Sequence, residues 1–253
     1  MNKKVIGVFD SGVGGIVVLN ELVKALPNEE FLYVADEQNS PYGEKTKEEV
    51  REIVSKNCNY LYEKNSKMIV IACNTATANS DHIKLDIPII GVIETTAKQV
   101  YELPKNSNVL LVATNVTVNS KSYQNYLKDY NVFSIGVPEF VKIVEENLYS
   151  TQEAKTLVFD KLSKFQKEDI KAVILGCTHF ELLKDFVQEI FPKAKVYSSS
   201  KVMADEVKNT LIRKRMLETN NFGKIIIESN KKNSNITDKI SWFEREYIFK
   251  TKK

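Results

Sequence analysis

The strongest constraint in this sequence is an internal correspondence between its first and second halves. When the chain is shifted by 104 residues, three apolar segments fall on one another, and a proline and a cysteine stay in register. The matched pairs are residues 5–10 with 109–114, residues 68–73 with 172–177, and residues 88–92 with 192–196. Apolar strands also resemble one another by chance, but one offset that aligns three of them predicts two homologous halves.

Short runs rich in β-branched residues alternate with longer amphipathic segments along the chain. The runs typical of strands buried on both faces are residues 5–9, 31–34, 68–72, 89–92, 109–113, 172–175 and 195–197. This alternation predicts an α/β fold with parallel sheets, whose ligands bind at the carboxyl ends of the strands. We expect two pseudo-symmetric αβ domains with mainly parallel sheets that face a shared cleft. The first domain is expected at residues 1–94 plus about 201–253, and the second at residues 95–200.

Two further segments have readable patterns. The spacing of Val50, Ile53, Val54, Cys58 and Leu61 predicts a helix that begins near Lys47. In the C-terminal segment we expect a strand at residues 225–227, a surface turn at 229–235 and a closing helix at 236–247. Trp242, Phe243 and Tyr247 would supply the apolar surface of that helix.

Composition excludes several classes of protein. The 36 basic and 33 acidic residues nearly balance, so a nucleic-acid partner is not indicated. From Lys201 onward there are 13 basic and 7 acidic residues, which favours a solvated basic face. No apolar run approaches the roughly 18 to 20 residues of a membrane span, and Asp10 interrupts the N-terminal run that a secretory signal would need. We expect a cytoplasmic protein without a membrane partner, whose three cysteines are free thiols.

A glycine-rich segment, residues 10–15 (DSGVGG), separates the first strand from a helix that we expect to end near Ala25. Its glycines let a backbone approach a ligand, and the N–H groups of the helix attract an anion. The glycine spacings typical of nucleotide phosphate loops are not met, so a carboxylate is favoured as that anion. Asp10 would repel a phosphate and attract an ammonium group. A plain strand-to-helix turn is the alternative.

Residues 40–43 (SPYG) follow the second predicted strand. Proline followed by glycine is typical of a turn. Tyr42 at its tip could cover a ligand or could simply pack in the core.

Two cysteines occur where a strand gives way to a helix, in the segments Cys73-Asn-Thr75 and Cys177-Thr-His179. A helix N-terminus lowers the pKa of a thiol, so reactive thiols are expected here. Buried structural cysteines are the alternative, which the shared offset disfavours, and Cys58 is expected to be such a core residue. Two distant cysteines and one histidine are too few for a metal site. A cysteine hydrolase would leave the second cysteine without a role.

The same offset shows how the halves differ, since Asp10 matches Thr114 and Thr75 matches His179. Each thiol therefore has one ionisable neighbour, Asp10 for Cys73 and His179 for Cys177. Two acid–base groups on opposite sides of one molecule are what inversion of a stereocentre requires. One thiolate would remove a proton and the opposite thiol would deliver one.

Five motifs, at residues 7–15, 41–43, 72–76, 91–94 and 176–180, closely resemble those of the glutamate racemases, which belong to the cofactor-independent aspartate/glutamate racemase family. The resemblance covers residues 5 to about 200. It implies racemisation of L- and D-glutamate to supply D-glutamate for peptidoglycan, with no cofactor and no metal, by a protein that is expected to be a homodimer. It implies that Cys73 and Cys177 are the catalytic acid–base residues, assisted by Asp10 and His179. The implied substrate contacts are Asp10, Ser11, Pro41, Tyr42, Gly43, Asn74, Thr75, Thr114, Thr117, Thr178 and His179, with Glu145 as a further cleft carboxylate.

The sequence departs from the family pattern towards its end. Residues 198–200 read Ser-Ser-Ser where an acidic residue is usual, and the last fifty residues match poorly. Two alternatives stay open. One is a racemase of aspartate or another acidic amino acid, and the other is a protein that binds a dicarboxylate or a protein partner without turnover.

Overall fold

The computed structural model describes residues 4–220, 222–234, 236–240, 243 and 245–251, and these residues form two sheets. The strands are β1 (Val5–Asp10), β2 (Glu30–Ala35), β3 (Ser66–Ile71), β4 (Ile89–Gly91), β5 (Asn108–Ala113), β6 (Asn131–Gly136), β7 (Ala172–Gly176), β8 (Lys195–Tyr197), β9 (Ile225–Ser229) and β10 (Ile248–Thr251). Every pairing between these strands is parallel.

Helices connect the strands of both sheets. The α-helices are α1 (Ile16–Ala25), α2 (Lys47–Glu63), α3 (Asn74–Thr77), α4 (Val92–Lys98), α5 (Asn115–Asn119), α6 (Ser122–Tyr126), α7 (Pro138–Glu145), α8 (Gln152–Leu162), α9 (Lys184–Ile190), α10 (Ser200–Arg213) and α11 (Ile236–Lys239). Within the described ranges, 3-10 helices span Tyr42–Glu44, Gln99–Glu102, Ser163–Glu168 and Thr178–Leu183. None of the described helices is both long enough and apolar enough to cross a membrane.

The two sheets share one strand order. The larger runs β10-β9-β2-β1-β3-β4 and the smaller runs β6-β5-β7-β8, so β1 to β4 of the first half correspond to β5 to β8 of the second. The predicted α/β class with two pseudo-symmetric parallel sheets is therefore confirmed. Strands β9 and β10 extend only the larger sheet, and the domain boundaries near residues 94 and 200 stay a prediction.

The common offset fails for the third matched pair. Ile69 pairs with Ile89, whereas the equivalent Val173 pairs with Val196, three residues further along than an offset of 104 requires. The connection before β8 carries α9, while the connection before β4 carries only the single turn of α3. The edge strands therefore match in position but not in register.

Strand β1 is buried on both faces, between two apolar cores of the first half. Ile6 and Val8 face the core that α1 contributes to, and Phe9 belongs to the core beneath α2. The predicted helix is confirmed as α2, and all five of its spaced apolar residues are buried. Thr46 caps that helix through a reciprocal capping box with Glu49, which satisfies N–H groups at its start.

Two local predictions are wrong. Strand β6 was not expected, because it is a half-exposed edge strand that includes a serine and a glycine rather than a continuous apolar run. Among the described residues of the range 236–247, where a closing helix was expected, only the single turn of α11 is helical, and β10 follows this range. Phe243 and Tyr247 do supply apolar surface against the first core, while Trp242 lies outside the described residues.

The expected surface turn at residues 229–235 is also partly wrong. Ser229 is fully buried as the last residue of β9, and the described turn begins after it. Asn235, at the end of that predicted turn, lies outside the described residues.

Candidate active site

A cleft of about 290 Å³ opens between the two halves, beyond the carboxyl ends of the central strands. Twelve of the predicted site residues line it: Ser11, Pro41, Tyr42, Gly43, Cys73, Asn74, Thr75, Thr114, Glu145, Cys177, Thr178 and His179. Ser40, Glu44, Pro138, Val141 and Lys142 also line it and were not predicted as site residues. Asp10 and Thr117 are buried behind the lining. The structure thus brings residues from both halves to one concave surface.

Cys73 follows β3 and forms the N-cap of α3, where its Sγ accepts the N–H of Ala76 at 3.5 Å. The sequence predicts a lowered pKa for this thiol, and that prediction is wrong. Burial raises the pKa of Cys73, and the nearby carboxylate of Asp10 raises it further. The N-terminal N–H groups of α3 do not compensate, because this helix is only four residues long and the thiol is shielded from water.

Cys177 follows β7 at the position equivalent to Cys73. Its Sγ lies 3.7 Å from Nδ1 of His179, and Nε2 of the same ring lies 2.7 Å from a carboxylate oxygen of Glu145 on α7. Burial alone lowers the pKa of His179, but the hydrogen bonds with Cys177 and Glu145 and their charges raise it well above its ordinary value. His179 is therefore held in its protonated form beside Cys177.

Asp10 ends β1 and joins the two halves. Its carboxylate accepts the backbone N–H of Gly12 at 3.1 Å and the hydroxyl of Thr178, from the second half, at 3.3 Å. Burial raises the pKa of Asp10, while the charge of His179 opposes that shift. A buried carboxylate beside the cleft favours a cationic group there.

The glycine-rich segment serves close packing. A Cβ on Gly14 would lie 2.6 Å from Oγ1 of Thr178 and 2.7 Å from Nδ1 of His179, so only glycine fits against the second half. The N–H groups of Ile16 and Val17 donate to carbonyls of the preceding turn. They are not free for the anion that the sequence predicts at the start of α1.

Three hydroxyls form a triangle across the two halves. Oγ1 of Thr75 lies 3.0 Å from Oγ1 of Thr114 and 3.3 Å from Oγ1 of Thr117, and Thr114 donates to Thr117 at 3.0 Å. Thr117 is fully buried, so it reaches the cleft only through the other two.

The hydroxyl of Tyr42 points away from the cleft. It donates to the buried carboxylate of Asp36 at 2.5 Å, and Asn57 donates to the same carboxylate at 3.1 Å. Tyr42 therefore cannot offer its hydroxyl to a ligand while this bond is intact, although it lines the cleft. Asp36 was missed because nothing near it in sequence indicates a link to the cleft.

The side-chain amide of Asn74 is only half satisfied. Its Oδ1 accepts the hydroxyl of Tyr123 at 2.6 Å, whereas its buried Nδ2 has no hydrogen-bond partner in the part of the chain that the structure describes. Neither the cleft nor any other described part of the chain has a group of three or more His, Cys, Asp or Glu side chains arranged to hold a metal ion.

The chain is similar to several known proteins. Residues 11–207 match the family model described as Asp/Glu/Hydantoin racemase. The chain is 39% identical to glutamate racemase 2 of Caldanaerobacter subterraneus over 88% of this chain and 86% of that protein. Among solved structures, glutamate racemase isoform RacE1 from Bacillus anthracis superposes with a TM-score of 0.93 at 30% identity, covering 100% of this chain and 98% of that one. The glutamate racemase from Francisella tularensis in complex with D-glutamate superposes with a TM-score of 0.91 at 26% identity, with coverages of 100% and 98%.

Proposed function

Because this chain belongs to the Asp/Glu/hydantoin racemase family, we propose that it interconverts L-glutamate and D-glutamate by proton transfer between the α-carbon and the thiols of Cys73 and Cys177. One observation carries the proposal. The two cysteines follow equivalent strands of the two halves, and both line a single cleft. Acid–base groups supplied from opposite walls are what inversion at one carbon requires.

The proposed reaction moves two protons. The thiolate of one cysteine takes the α-proton, so that a C–H bond breaks and an S–H bond forms, while the electron pair stays on the α-carbon and its carboxylate. The opposite thiol then gives its proton to the other face of that carbon and becomes the thiolate. The enzyme is left ready for the reverse direction without any external reductant or oxidant.

The charges around the two thiols differ, and this supports distinct roles for them. The raised pKa of Cys73 keeps it a neutral thiol. Cys177 lies beside a protonated His179, so a positive charge faces its sulfur. In the proposed order of events Cys177 is the first base and Cys73 the first acid. The ammonium group of the substrate, placed near Asp10, would lower the pKa of Cys73 for the reverse step.

The polar groups of the cleft suit a dicarboxylate amino acid. Asn74 and the hydroxyl of Thr75 offer hydrogen-bond donors for carboxylates, and these donors act in a buried site where each contributes more than it would in water. The buried carboxylate of Asp10 offers a partner for the ammonium group.

A racemisation assay tests the proposal. Purified protein is incubated with L- or D-glutamate, and loss of circular dichroism and exchange of the α-proton are followed, with aspartate as the competing substrate. Cys73→Ser and Cys177→Ser should each lose at least about 10²-fold in activity, since a positioned acid or base contributes that much. Cys58→Ala is the matched control, because Cys58 is buried in the core beneath α2 and does not line the cleft.

The outcomes are distinct. Full racemisation by either single variant would overturn the two-thiol mechanism. Faster turnover of aspartate than of glutamate would show that aspartate, and not glutamate, is the substrate. Glutamate binding without any turnover would indicate a binding protein, and alkylation of the thiols with and without glutamate would then show whether the cleft is occupied.

The proposal extends to the setting of the reaction, as the family resemblance implies. The enzyme would act in the cytoplasm as a homodimer and supply D-glutamate for peptidoglycan. Cells depleted of it should lose their shape and recover when D-glutamate is supplied, and light scattering of the pure protein should give twice the mass of one chain. Cells that need no D-glutamate, or a monomer with full activity, would contradict these parts.

A further inference from the structure

The unsatisfied amide nitrogen of Asn74 is unusual for a buried group. Asn74 is 2% exposed, lines the cleft and has no hydrogen-bond partner at Nδ2 among the described residues. A buried donor left without a partner destabilises a fold, so such a group calls for an acceptor that arrives with a ligand.

The orientation of this amide depends on one residue from the other half. Tyr123 is the second residue of α6 and is fully buried. Its hydroxyl donates to Oδ1 of Asn74 at 2.6 Å. Burial raises the pKa of Tyr123, so the hydroxyl stays protonated and remains a donor. Because the oxygen of the amide is held by this donor, the nitrogen is the end left for the cleft.

The ring of Tyr123 is itself locked. It belongs to the core formed by Ile93, Leu111 and Ala113, and a Cβ on Gly176 would lie 3.3 Å from its Cε2. Gly176 directly precedes Cys177. Tyr123 thus packs against β7, the strand that precedes Cys177, and bonds to Asn74, the residue that follows Cys73.

We infer that Tyr123 is a positioning residue, which fixes the Asn74 amide so that Nδ2 donates to a carboxylate of the bound amino acid. The inference rests on the proposed function for the identity of that amino acid, but the orientation of the amide does not depend on it. If the tyrosine hydroxyl is removed, the amide can rotate and present Oδ1, which repels a carboxylate.

Steady-state kinetics of Tyr123→Phe with D-glutamate test the inference. A donor that contacts the carboxylate equally in the ground state and the transition state affects binding alone. We expect KM to rise about tenfold with kcat nearly unchanged, the size expected for one hydrogen bond to a charged group. Tyr130→Phe is the matched control, since its hydroxyl contacts the carbonyl of Leu103 at 3.4 Å and it does not line the cleft.

A double-mutant cycle separates positioning from structural support. In an Asn74→Ala background, Tyr123→Phe should raise KM no further, because the group that it orients is gone. An equal rise in both backgrounds, or a lower melting temperature with an unchanged KM, would overturn the inference.

Asn74→Asp provides a second route that does not depend on the folding of Tyr123→Phe. This isosteric change keeps the oxygen that Tyr123 contacts but replaces the donor nitrogen with a second oxygen. KM should rise and then recover as the pH is lowered and the new carboxyl is protonated. A KM that does not depend on pH in this way would contradict the inference.

The proposed function and this inference can fail separately. If wild-type protein shows no turnover, calorimetric binding of D-glutamate and glutarate to the same variants tests the amide directly. If Tyr123→Phe binds these compounds more weakly than the wild type and Tyr130→Phe does not, the inference is supported even though the racemase activity is absent. Wild-type protein that binds neither compound would overturn both the inference and the proposed function.

Discussion

Nε2 of His179 lies 2.7 Å from a carboxylate oxygen of Glu145. The opposite nitrogen of the same ring faces the sulfur of Cys177 at 3.7 Å. The imidazole is thus bonded on both sides, and its raised pKa keeps it protonated where Cys177 meets the cleft. At Cys73, burial and then the charge of Asp10 raise the pKa of the thiol. The two thiols therefore have different charged neighbours in a pseudo-symmetric site.

Replacing Glu145 with glutamine should move the pH profile of the reaction. The charge of Glu145 helps to raise the pKa of His179, so its removal lowers that pKa. The alkaline limb of kcat/KM should shift to lower pH, and the maximum should fall about tenfold, as for the loss of one charge-assisted hydrogen bond. Glu146→Gln is the control, because Glu146 follows Glu145 and pairs with the exposed Lys142 at 3.9 Å. An alkaline limb that stays in place or moves upward would contradict the assignment.

The Asp10→Asn variant should make Cys73 easier to ionise. Burial is the larger cause of the raised pKa of Cys73 and persists, while the charge of Asp10 is removed. Alkylation of Cys73 by iodoacetamide, followed by peptide mass spectrometry, should therefore begin at lower pH than in the wild type. Cys58 is an internal control, since burial alone raises its pKa to about 12. If alkylation of Cys73 does not move relative to that of Cys58, Asp10 does not act on the thiol.

Gly14→Ala should separate activity from stability. The new Cβ would come within 2.6 Å of Thr178 and 2.7 Å of His179, so the two walls of the cleft must move apart. We expect a loss of roughly 1–3 kcal/mol in unfolding free energy and of about 10²-fold in kcat/KM, because small displacements of reacting groups are costly. Gly7→Ala, whose Cβ would meet Ser66 at 2.7 Å, should lose similar stability but keep the activity of its folded fraction. Equal kcat/KM for the two variants would show that the close approach at Gly14 does not matter for catalysis.

Asn230→Ala should loosen the segment that leads to Tyr42. Asn230 accepts the N–H of Gln38 at 2.9 Å and donates to Asp36, which in turn holds the hydroxyl of Tyr42. Hydrogen exchange at residues 36–44 should accelerate, and KM for glutamate should rise about three- to tenfold for the loss of such bonds. Lys231→Ala, which removes an exposed neighbouring side chain, should change neither. Unchanged exchange in Asn230→Ala would show that the C-terminal segment does not hold this loop.

The repeat and the strand ends were readable because they depend on local pattern. Cys73 and Cys177 each follow an apolar run, and parallel strands bring such positions to one edge. Tyr123 and Asn74 are 49 residues apart, and Asn230 and Asp36 are 194 residues apart. Contacts at such separations follow from tertiary packing and leave no periodic signal.

The wrong predictions have similar causes. The pKa of Cys73 depends on burial and on Asp10, neither of which the helix-terminus argument takes into account. The edge strand β6 is half exposed, so it lacks the continuous apolar run that indicated the central strands.

The central claim is that two thiols act on opposite faces of one carbon, and deuterium incorporation during the first turnovers tests it most directly. L-glutamate is converted in deuterium oxide, and the α-hydrogen of both enantiomers is measured by mass spectrometry before the reaction reaches equilibrium. The account predicts that the D-glutamate formed carries solvent deuterium at the α-carbon while the unreacted L-glutamate keeps its proton, because each enantiomer meets a different thiol. Deuterium that enters the unreacted L-glutamate as fast as D-glutamate is formed would show a single base serving both faces, and would contradict the account.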